Sequence, residues 1–359
     1  MKVKFEIDEK KVIAELSDAF GIRVDAMQFI PVGDAAYSYF LLSDGRLRYY
    51  VKLFDHHNDR QKRGAAKLSY YLPLLWLLHH ERQLEQLTWP IRTLSGEYSI
   101  TIEDCTLVMF NYIAGETLAD AYPFSPETIG HVAQLAAQVH GLTPTLNREL
   151  VDLPSESFDL SFIPDLVNCL EQLENQEEGY GDVDRDGEST GDRIVHELRT
   201  ALLPQKARIN AMVELLHILR GKCLEDDREK VLCHGDMWGG NLIRGENGKL
   251  NLIDWESVLL APIEFDLRGY IGDEFVIYLS AYEKELGCEV QINTDVLRFY
   301  CYQHHLRNLT NWLLNLLVSN MNPEQRANDL EMILYHCMNR WDSIEPQLLA
   351  VEKQLRDRK

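Results

Sequence analysis

Val231-Leu-Cys-His-Gly-Asp-Met-Trp-Gly-Gly-Asn241, followed by Leu250-Asn-Leu-Ile-Asp-Trp255, is the stretch whose reading decides the fold. It sets His234, Asp236 and Asn241 in an H-x-D-x-x-x-x-N array, with a further acid, Asp254, shortly after. Between the halves lies Glu246-Asn247-Gly248-Lys249. An Asn-Gly pair flanked by apolar runs is the strongest short-range signal for a two-residue hairpin turn. With Asn247 and Gly248 as the loop, Ile243 pairs with Leu252, Leu242 with Ile253, and Asn241 falls opposite Asp254. Cross-strand partners have Cβ atoms about 4.5–5.5 Å apart. An amide oxygen and a carboxylate at that separation can share one hard cation, and magnesium prefers such oxygen ligands. Asp236 stays outside the hairpin, where it can meet a substrate.

The order of these groups matches a known chemical need. Phosphoryl transfer of the protein-kinase type uses one Asp to accept the proton of the attacking hydroxyl, and an Asn and a later Asp to hold magnesium on the nucleotide phosphates. Asp236 is the candidate base. It follows a short buried strand, Lys230–Cys233, and precedes a Gly-Gly loop that lets backbone approach a ligand closely. A positioned carboxylate suffices, because this transfer rests on positioning and charge stabilisation. His234 reads as a scaffold that hydrogen-bonds the loop. The His-x-Asp pair also occurs in metallohydrolases, but the further His ligands such a site needs are absent nearby.

Working outward, Lys10–Phe20 reads as a helix stopped by Gly21. Strand-like runs follow at Ala26–Val32, Tyr37–Leu42 and Leu47–Phe54, with Asp44-Gly45 as the turn between the second and third. A two-residue turn puts Lys52 opposite Tyr37, beneath the loop Val32-Gly-Asp-Ala-Ala36 that holds Gly33. The flanks of Lys52, Tyr50-Val51 and Leu53-Phe54, are apolar. That favours a lysine reaching nucleotide phosphates over a solvated one.

Arg63–Leu87 is mostly helical, with Pro73 set to start, kink or split it. Pro90–Thr93, Tyr98–Ile102 and Thr106–Phe110 read as strands. Beyond Asn111 the chain turns helical, which places a boundary between residues 1–111 and 112–359. Ser125-Pro126-Glu127 is a strong helix start, and His140 ends that helix as a favourable cation near its C-terminus. Helices are expected at Arg193–Leu219, Phe275–Glu285, Val296–Val318, Pro323–Asp342 and Glu345–Arg356. Asp266 either braces the catalytic loop or caps the helix that begins beside it.

Composition narrows the partners. The net charge is −21 over 359 residues, which argues against nucleic acid or anionic membrane. From Glu171 to Asp192 there are nine acids and one base, so this segment carries −8 of it. Within it Asp182-x-Asp184-x-Asp186-Gly187 resembles half of a calcium loop, but Arg193 stands where the bidentate Glu belongs. Seven cysteines without C-x-x-C spacing suit a reducing compartment. The charged start has no apolar core, so no signal peptide is expected, and no apolar run spans a bilayer. A cytoplasmic protein is expected.

Taken together, Val32–Tyr39, Tyr49–Phe54, Thr106–Ala121, His131–Leu142, Val231–Ile243 and Leu252–Leu267 resemble the aminoglycoside phosphotransferase and choline kinase superfamily, nearest its spectinomycin-phosphotransferase-like bacterial branch. The resemblance implies an α+β, bilobal protein-kinase-like fold: a small antiparallel N-lobe with a helix, and a larger, mainly helical C-lobe. It implies ATP or GTP with Mg2+, and phosphorylation of a hydroxyl on a small, cationic molecule. Lys52 and Gly33 would contact the nucleotide phosphates, and backbone near Asn111 and Ile113 would hold the purine. Asp236 would be the base, Asn241 and Asp254 the metal ligands, and His234 and Asp266 structural support. Asp273, Glu274 and Glu283 are candidates for an acidic substrate pocket. One departure stands out. Relatives often pair the strand lysine with a Glu on the following helix, yet no Glu occurs from Asp55 to His80. A bacterial protein Ser/Thr kinase and a nucleotide-binding pseudokinase are the alternatives on the same fold.

Overall fold

The computed structural model describes residues 4–31, 36–146, 152–175, 190–318 and 323–358. Gly33 and the acidic calcium-loop-like run lie outside them. The chain forms two compact units, residues 1–155, 230–266 and 277–289 in the first, and 156–229, 267–276 and 290–359 in the second.

The first unit begins with helix α1 (Glu9–Phe20), whose N-cap Asp8 accepts from the amides of Lys10 and Lys11. Its apolar residues Val12, Leu16 and Phe20 recur at helical spacing and are buried. They pack on a five-stranded antiparallel sheet in the order β1-β2-β3-β5-β4: β1 Ala26–Ile30, β2 Tyr37–Ser43, β3 Arg46–Asp55, β4 Ile100–Ile102 and β5 Cys105–Asn111. Tyr39, Leu41, Val51, Leu53, Leu107 and Met109 supply the sheet's side of that core.

The Asp44-Gly45 turn forms as expected, with both residues at positive φ and Ser43 paired to Arg46. The register beyond it does not. A bulge at Arg48 moves Leu41 opposite Tyr49 and so brings Ser38, rather than Tyr37, opposite Lys52. A bulge inserts one residue into one strand and shifts all later pairs by one. Pro90–Thr93 forms no strand. Pro90 makes a single bridge to Phe110, and Thr93 instead closes a turn with Glu97.

Helix α2 (Asp59–His80) starts earlier than expected, because Asn58 caps it by accepting from Arg60 and Gln61. It also runs unbroken through Pro73. An interior proline costs a helix about 3 kcal/mol. Burial of Tyr71, Leu72, Leu74, Leu75 and Leu78 around it offsets that cost.

The rest of the first unit carries two small antiparallel sheets. One orders β6 (Gly115–Thr117), β8 (Leu242–Gly245) and β9 (Leu250–Leu252); the other pairs β7 (Val231–Cys233) with β10 (Leu259–Ala261). Helix α3 (Pro126–Gly141) is capped by Ser125 and buries Ile129, Val132, Leu135, Ala136 and Val139.

The second unit is helical among its described residues. Its long helix Thr294–Leu317 packs with Ile163–Asn175 and Lys206–Leu224. The single helix expected at Arg193–Leu219 is two, Thr190–Leu202 and Lys206–Leu224, joined by a 3-10 turn around Pro204. Proline removes an amide donor and stops the first helix there. The break expected near residue 343 is absent, and Met338–Asp357 is continuous. No described helix is long and apolar enough to cross a membrane.

Candidate functional site

The hairpin after the H-x-D array decides where the acids go. Its loop has three residues, Glu246-Asn247-Gly248. Gly248 donates to the carbonyl of Gly245, and Gly245 donates to that of Lys249, both at 2.9 Å. A two-residue type I′ turn needs positive φ at both central residues. Only Gly248, at φ +78°, has it. Asn247 instead uses its side chain, accepting from the Lys249 amide at 3.0 Å.

Leu242 therefore faces Leu252, and Ile253 donates to the Asn241 carbonyl at 3.0 Å. The expected cross-strand pairing of Asn241 with Asp254 does not form. Asp254 leaves the strand in the left-handed conformation, φ 62° and ψ 67°. It directs its carboxylate to Lys52, whose Nζ lies 2.8 Å from Asp254 Oδ1 and 2.6 Å from Glu256 Oε1.

Lys52 is only 8% exposed. Burial works against its charge, but the carboxylates of Asp254 and Glu256 outweigh it and hold the ammonium well above the ordinary lysine value. Burial likewise pushes the Asp254 carboxyl up, and the Lys52 ammonium overrides it, so that Asp254 is held below the usual range. The missing helix Glu thus has a replacement from another part of the chain. Glu256, two residues after Asp254, is a residue to which the sequence reading gave no role. On α2 the group that acts on Lys52 is Tyr71, whose buried hydroxyl has no hydrogen-bond partner.

Asp236 is held by Asn241, whose Nδ2 donates at 2.8 Å both to the Asp236 carbonyl and to its Oδ2. That spends the donor end of the Asn241 amide and turns its oxygen away from the Asp236 carboxylate. His234 is fully buried and joins the two halves of the motif. Its Nδ1 accepts from the Asp236 amide at 3.2 Å, and its Nε2 donates to the Ile253 carbonyl at 3.0 Å. One ring nitrogen accepts and the other donates, which is the neutral tautomer. Burial holds the ring's pKa below its usual value against the opposing pull of Asp266, Asp236 and Asp254.

Beneath the loop, Asp266 accepts from the amides of His234 and Gly235, each at 2.8 Å. Of its two expected roles, the observed bonds are those of the brace. His140 lies in the last turn of its helix, as expected. It is buried, with Nε2 3.1 Å from Asp266 Oδ2 and Nδ1 2.7 Å from the Tyr282 hydroxyl. His140, Cys233 and Asp266 bring possible metal ligand atoms within 4.8 Å of one another. Both Asp266 oxygens are, however, already committed to backbone amides.

At the end of β5, Asn111 spends its groups within the protein: its amide donates to the Trp89 carbonyl, and its Oδ1 accepts from the Trp89 amide at 2.7 Å. Ile113 makes no backbone hydrogen bond to another described residue. The Gly-Gly pair was expected to let backbone approach a ligand. Protein atoms already crowd both glycines: a Cβ on Gly240 would lie 2.2 Å from the Trp238 ring, and one on Gly239 2.4 Å from the Leu118 carbonyl. Asp273 and Glu274 belong to the second unit and Glu283 to the first.

The oxygen donors suit a hard cation. Asn241 Oδ1 and the outer oxygen of Asp254, whose side chain is 44% exposed, have no protein partner among the described residues. An oxygen-only donor pair would suit a hard cation better than a transition metal.

A family model described as the phosphotransferase enzyme family matches residues 27–293. No curated protein matches the chain. Among solved structures, a spectinomycin phosphotransferase in complex with ADP and spectinomycin superposes with a TM-score of 0.71 at 19% identity, covering 91% of this chain and 94% of that one. A microcompartment-associated aminopropanol kinase gives 0.59 at 12%, covering 95% and 100%. A choline kinase from Streptococcus pneumoniae gives 0.52 at 16%, covering 92% and 99%. At these identities the likeness shows a shared fold, with an antiparallel N-terminal sheet and a helical C-terminal region.

Proposed function

The chain belongs to the phosphotransferase enzyme family, and on that premise we propose that it transfers the terminal phosphoryl group of ATP or GTP, with magnesium, to a hydroxyl of a small cationic molecule in the cytoplasm. The acceptor class is that of aminocyclitols, amino sugars and amino alcohols. In this reading residues 1–111 are the nucleotide lobe and 112–359 carry the catalytic loop and acceptor helices.

The carrying observation is the linked set Lys52–Asp254–His234–Asp236–Asn241 within one unit. Asp236 accepts the proton of the acceptor hydroxyl. The hydroxyl oxygen bonds the terminal phosphorus as the bond to the leaving nucleotide breaks, and the leaving oxygen takes that electron pair. Asn241 keeps the Asp236 carboxylate oriented, which is the positioning this reaction rests on. His234 stays neutral and ties Asp236 to the strand that delivers Asp254. Asn241 and Asp254 would hold the magnesium, which neutralises charge on the phosphate oxygens when bound. Lys52, and backbone near Gly33, would meet the phosphates; the backbone of Ile113, beside Asn111, would meet the purine.

The test is a screen of ATP and GTP turnover with magnesium against hydroxyl-bearing cations, with Asp236→Ala as control. Acceptor-dependent turnover that vanishes in the variant is the expected result. Turnover at the parent rate in Asp236→Ala would overturn the assignment. Nucleotide binding with no turnover would favour an interaction module instead.

A further inference from the structure

Among the described residues few large apolar side chains are exposed, and two of them lie at the candidate catalytic loop. Trp238 is 48% exposed and Tyr122 is 50% exposed. Trp238 lies two residues beyond Asp236, and its amide donates to the Asp236 carbonyl at 3.1 Å. Its indole folds back over Gly240, where any Cβ would fall 2.2 Å from Cζ2. Tyr122 lies against the neighbouring Gly239, whose hypothetical Cβ would be 2.9 Å from Tyr122 Cε2, and the Tyr122 hydroxyl accepts from the Gly239 amide at 2.8 Å. The Tyr122 ring is itself backed by Phe124, stacked at 4.2 Å.

Both rings are therefore fixed by backbone and by each other's supports, yet remain half open to solvent. Trp238 is half exposed, with no ion pair or ring stacking on its indole among the described residues. Singly exposed aromatics are common on protein surfaces; these two are set apart by packing against successive glycines, three and four residues beyond the candidate base. The two loops that carry the rings, residues 118–124 and 233–241, contain Asp120 and Asp236 and no Lys or Arg. An aromatic face in an acidic setting attracts a cation through the ring quadrupole.

We propose that Trp238, flanked by Tyr122, is the platform on which a protonated or quaternary amine of the acceptor rests while its hydroxyl meets Asp236. The proposal rests on the phosphotransferase reading and deepens it: the acceptor is an amino alcohol or aminocyclitol whose charge is read by an aromatic ring as well as by carboxylates. Tyr122 is the second wall, and the Gly239-Gly240 pair exists to let both rings lie on the loop.

The experiment pairs charged acceptors with neutral isosteres: choline with 3,3-dimethylbutan-1-ol, and spectinomycin and 1-amino-2-propanol with their N-acetyl forms. Acceptor kinetics are measured for the parent, Trp238→Phe and Trp238→Leu. In parallel, oxidation of the Trp238 peptide is followed by mass spectrometry with and without each probe. The expected result is protection of Trp238 by ammonium probes alone. Acceptor KM should rise about 3- to 30-fold in Trp238→Leu, the span of one cation–π contact. Trp238→Phe should recover most of it, and the KM for nucleotide should move less than about twofold. If a charged acceptor is phosphorylated while Trp238 stays unprotected and Trp238→Leu keeps its KM, the platform is wrong and the function stands. If ammonium probes protect Trp238 but none is phosphorylated, the platform stands and the function falls. Absence of protection by every cation overturns the platform whatever the turnover.

Discussion

Lys52 Nζ lies 2.6 Å from Glu256 Oε1, and both side chains are nearly buried, at 11% and 12% exposure. The lysine is on β3 and the acid is two residues beyond Asp254, on the far side of the sequence. An ion pair that relatives build from the neighbouring helix is here built across some two hundred residues. Its acid shares a 3-10 turn, Trp255–Ser257, with the residue next to a candidate metal ligand. The proposed phosphate lysine and the proposed metal ligand are thereby tied to one short turn.

The first prediction follows from that pair. Glu256→Gln leaves Lys52 with Asp254 alone and draws the lysine toward the carboxylate that magnesium needs. The KM for nucleotide should rise about tenfold, equivalent to a charge-assisted hydrogen bond of roughly 1.5 kcal/mol. The magnesium needed for half-maximal rate should rise with it. Steady-state kinetics over a magnesium series decides this, and an unchanged metal requirement would separate Glu256 from the metal.

Asp236→Asn keeps the shape and the bond to Asn241 but removes the proton acceptor. Expected is a fall of about 10²- to 10⁴-fold in kcat. Nucleotide affinity, measured by calorimetry, should stay close to the parent value. Loss of nucleotide binding in parallel with rate would make Asp236 a structural residue instead.

Asn241→Ala removes two bonds that orient Asp236 as well as one proposed oxygen ligand. Asp254→Ala removes the other proposed ligand and half of the Lys52 anchor. Both should require more magnesium. Only the first should depress kcat at saturating magnesium, by roughly tenfold or more, because a misplaced base is not repaired by metal. Magnesium titrations of the two variants side by side test the difference.

His234 predicts a pH signature in stability. Its folded pKa is lowered by burial. The unfolded imidazole therefore takes up its proton first as pH falls past about 6.5. Its stability contribution is complete above that value and is lost as pH falls toward the folded pKa, at up to about 1.4 kcal/mol per pH unit. Thermal unfolding between pH 7.5 and 5.5 should show a steeper loss in the parent than in His234→Asn. Equal slopes would remove His234 from the account.

Below the loop, Tyr282→Phe deletes the 2.7 Å bond to His140 and should cost about 0.5–1.5 kcal/mol of stability. His140→Ala should cost more, since it leaves both the Tyr282 hydroxyl and one Asp266 contact unsatisfied in a buried setting. Denaturant titration measures both.

Much of the candidate site was legible in the sequence. His234, Asp236, Asn241 and Asp254 lie close together in the chain, so a local pattern could name them as candidates. The Asp44-Gly45 turn, the Ser125 cap and the period of α1 are equally local, and each formed as read. What went astray was register. At Asn247-Gly248 only the glycine took positive φ, so the loop gained a residue. At Arg48 a bulge did the same to β3. A strand's side-chain period is two, so one extra residue moves every later side chain to the other face. Whether a turn closes in two residues or three is settled by packing around it.

The sequence by itself determined the family-level fold and named the candidate acid, amide and lysine groups, because these are read from local pattern. Only the tertiary structure decided the partners. Glu256 answers Lys52, Asp254 turns through a left-handed backbone to reach it, His140 locks Asp266, and two aromatic rings occupy the space that the Gly239-Gly240 pair opens. Each of these joins groups remote in sequence or turns on a backbone angle that local preference disfavours. Such choices are made by the whole core closing at once, since contact between distant residues has no signature in the spacing of either.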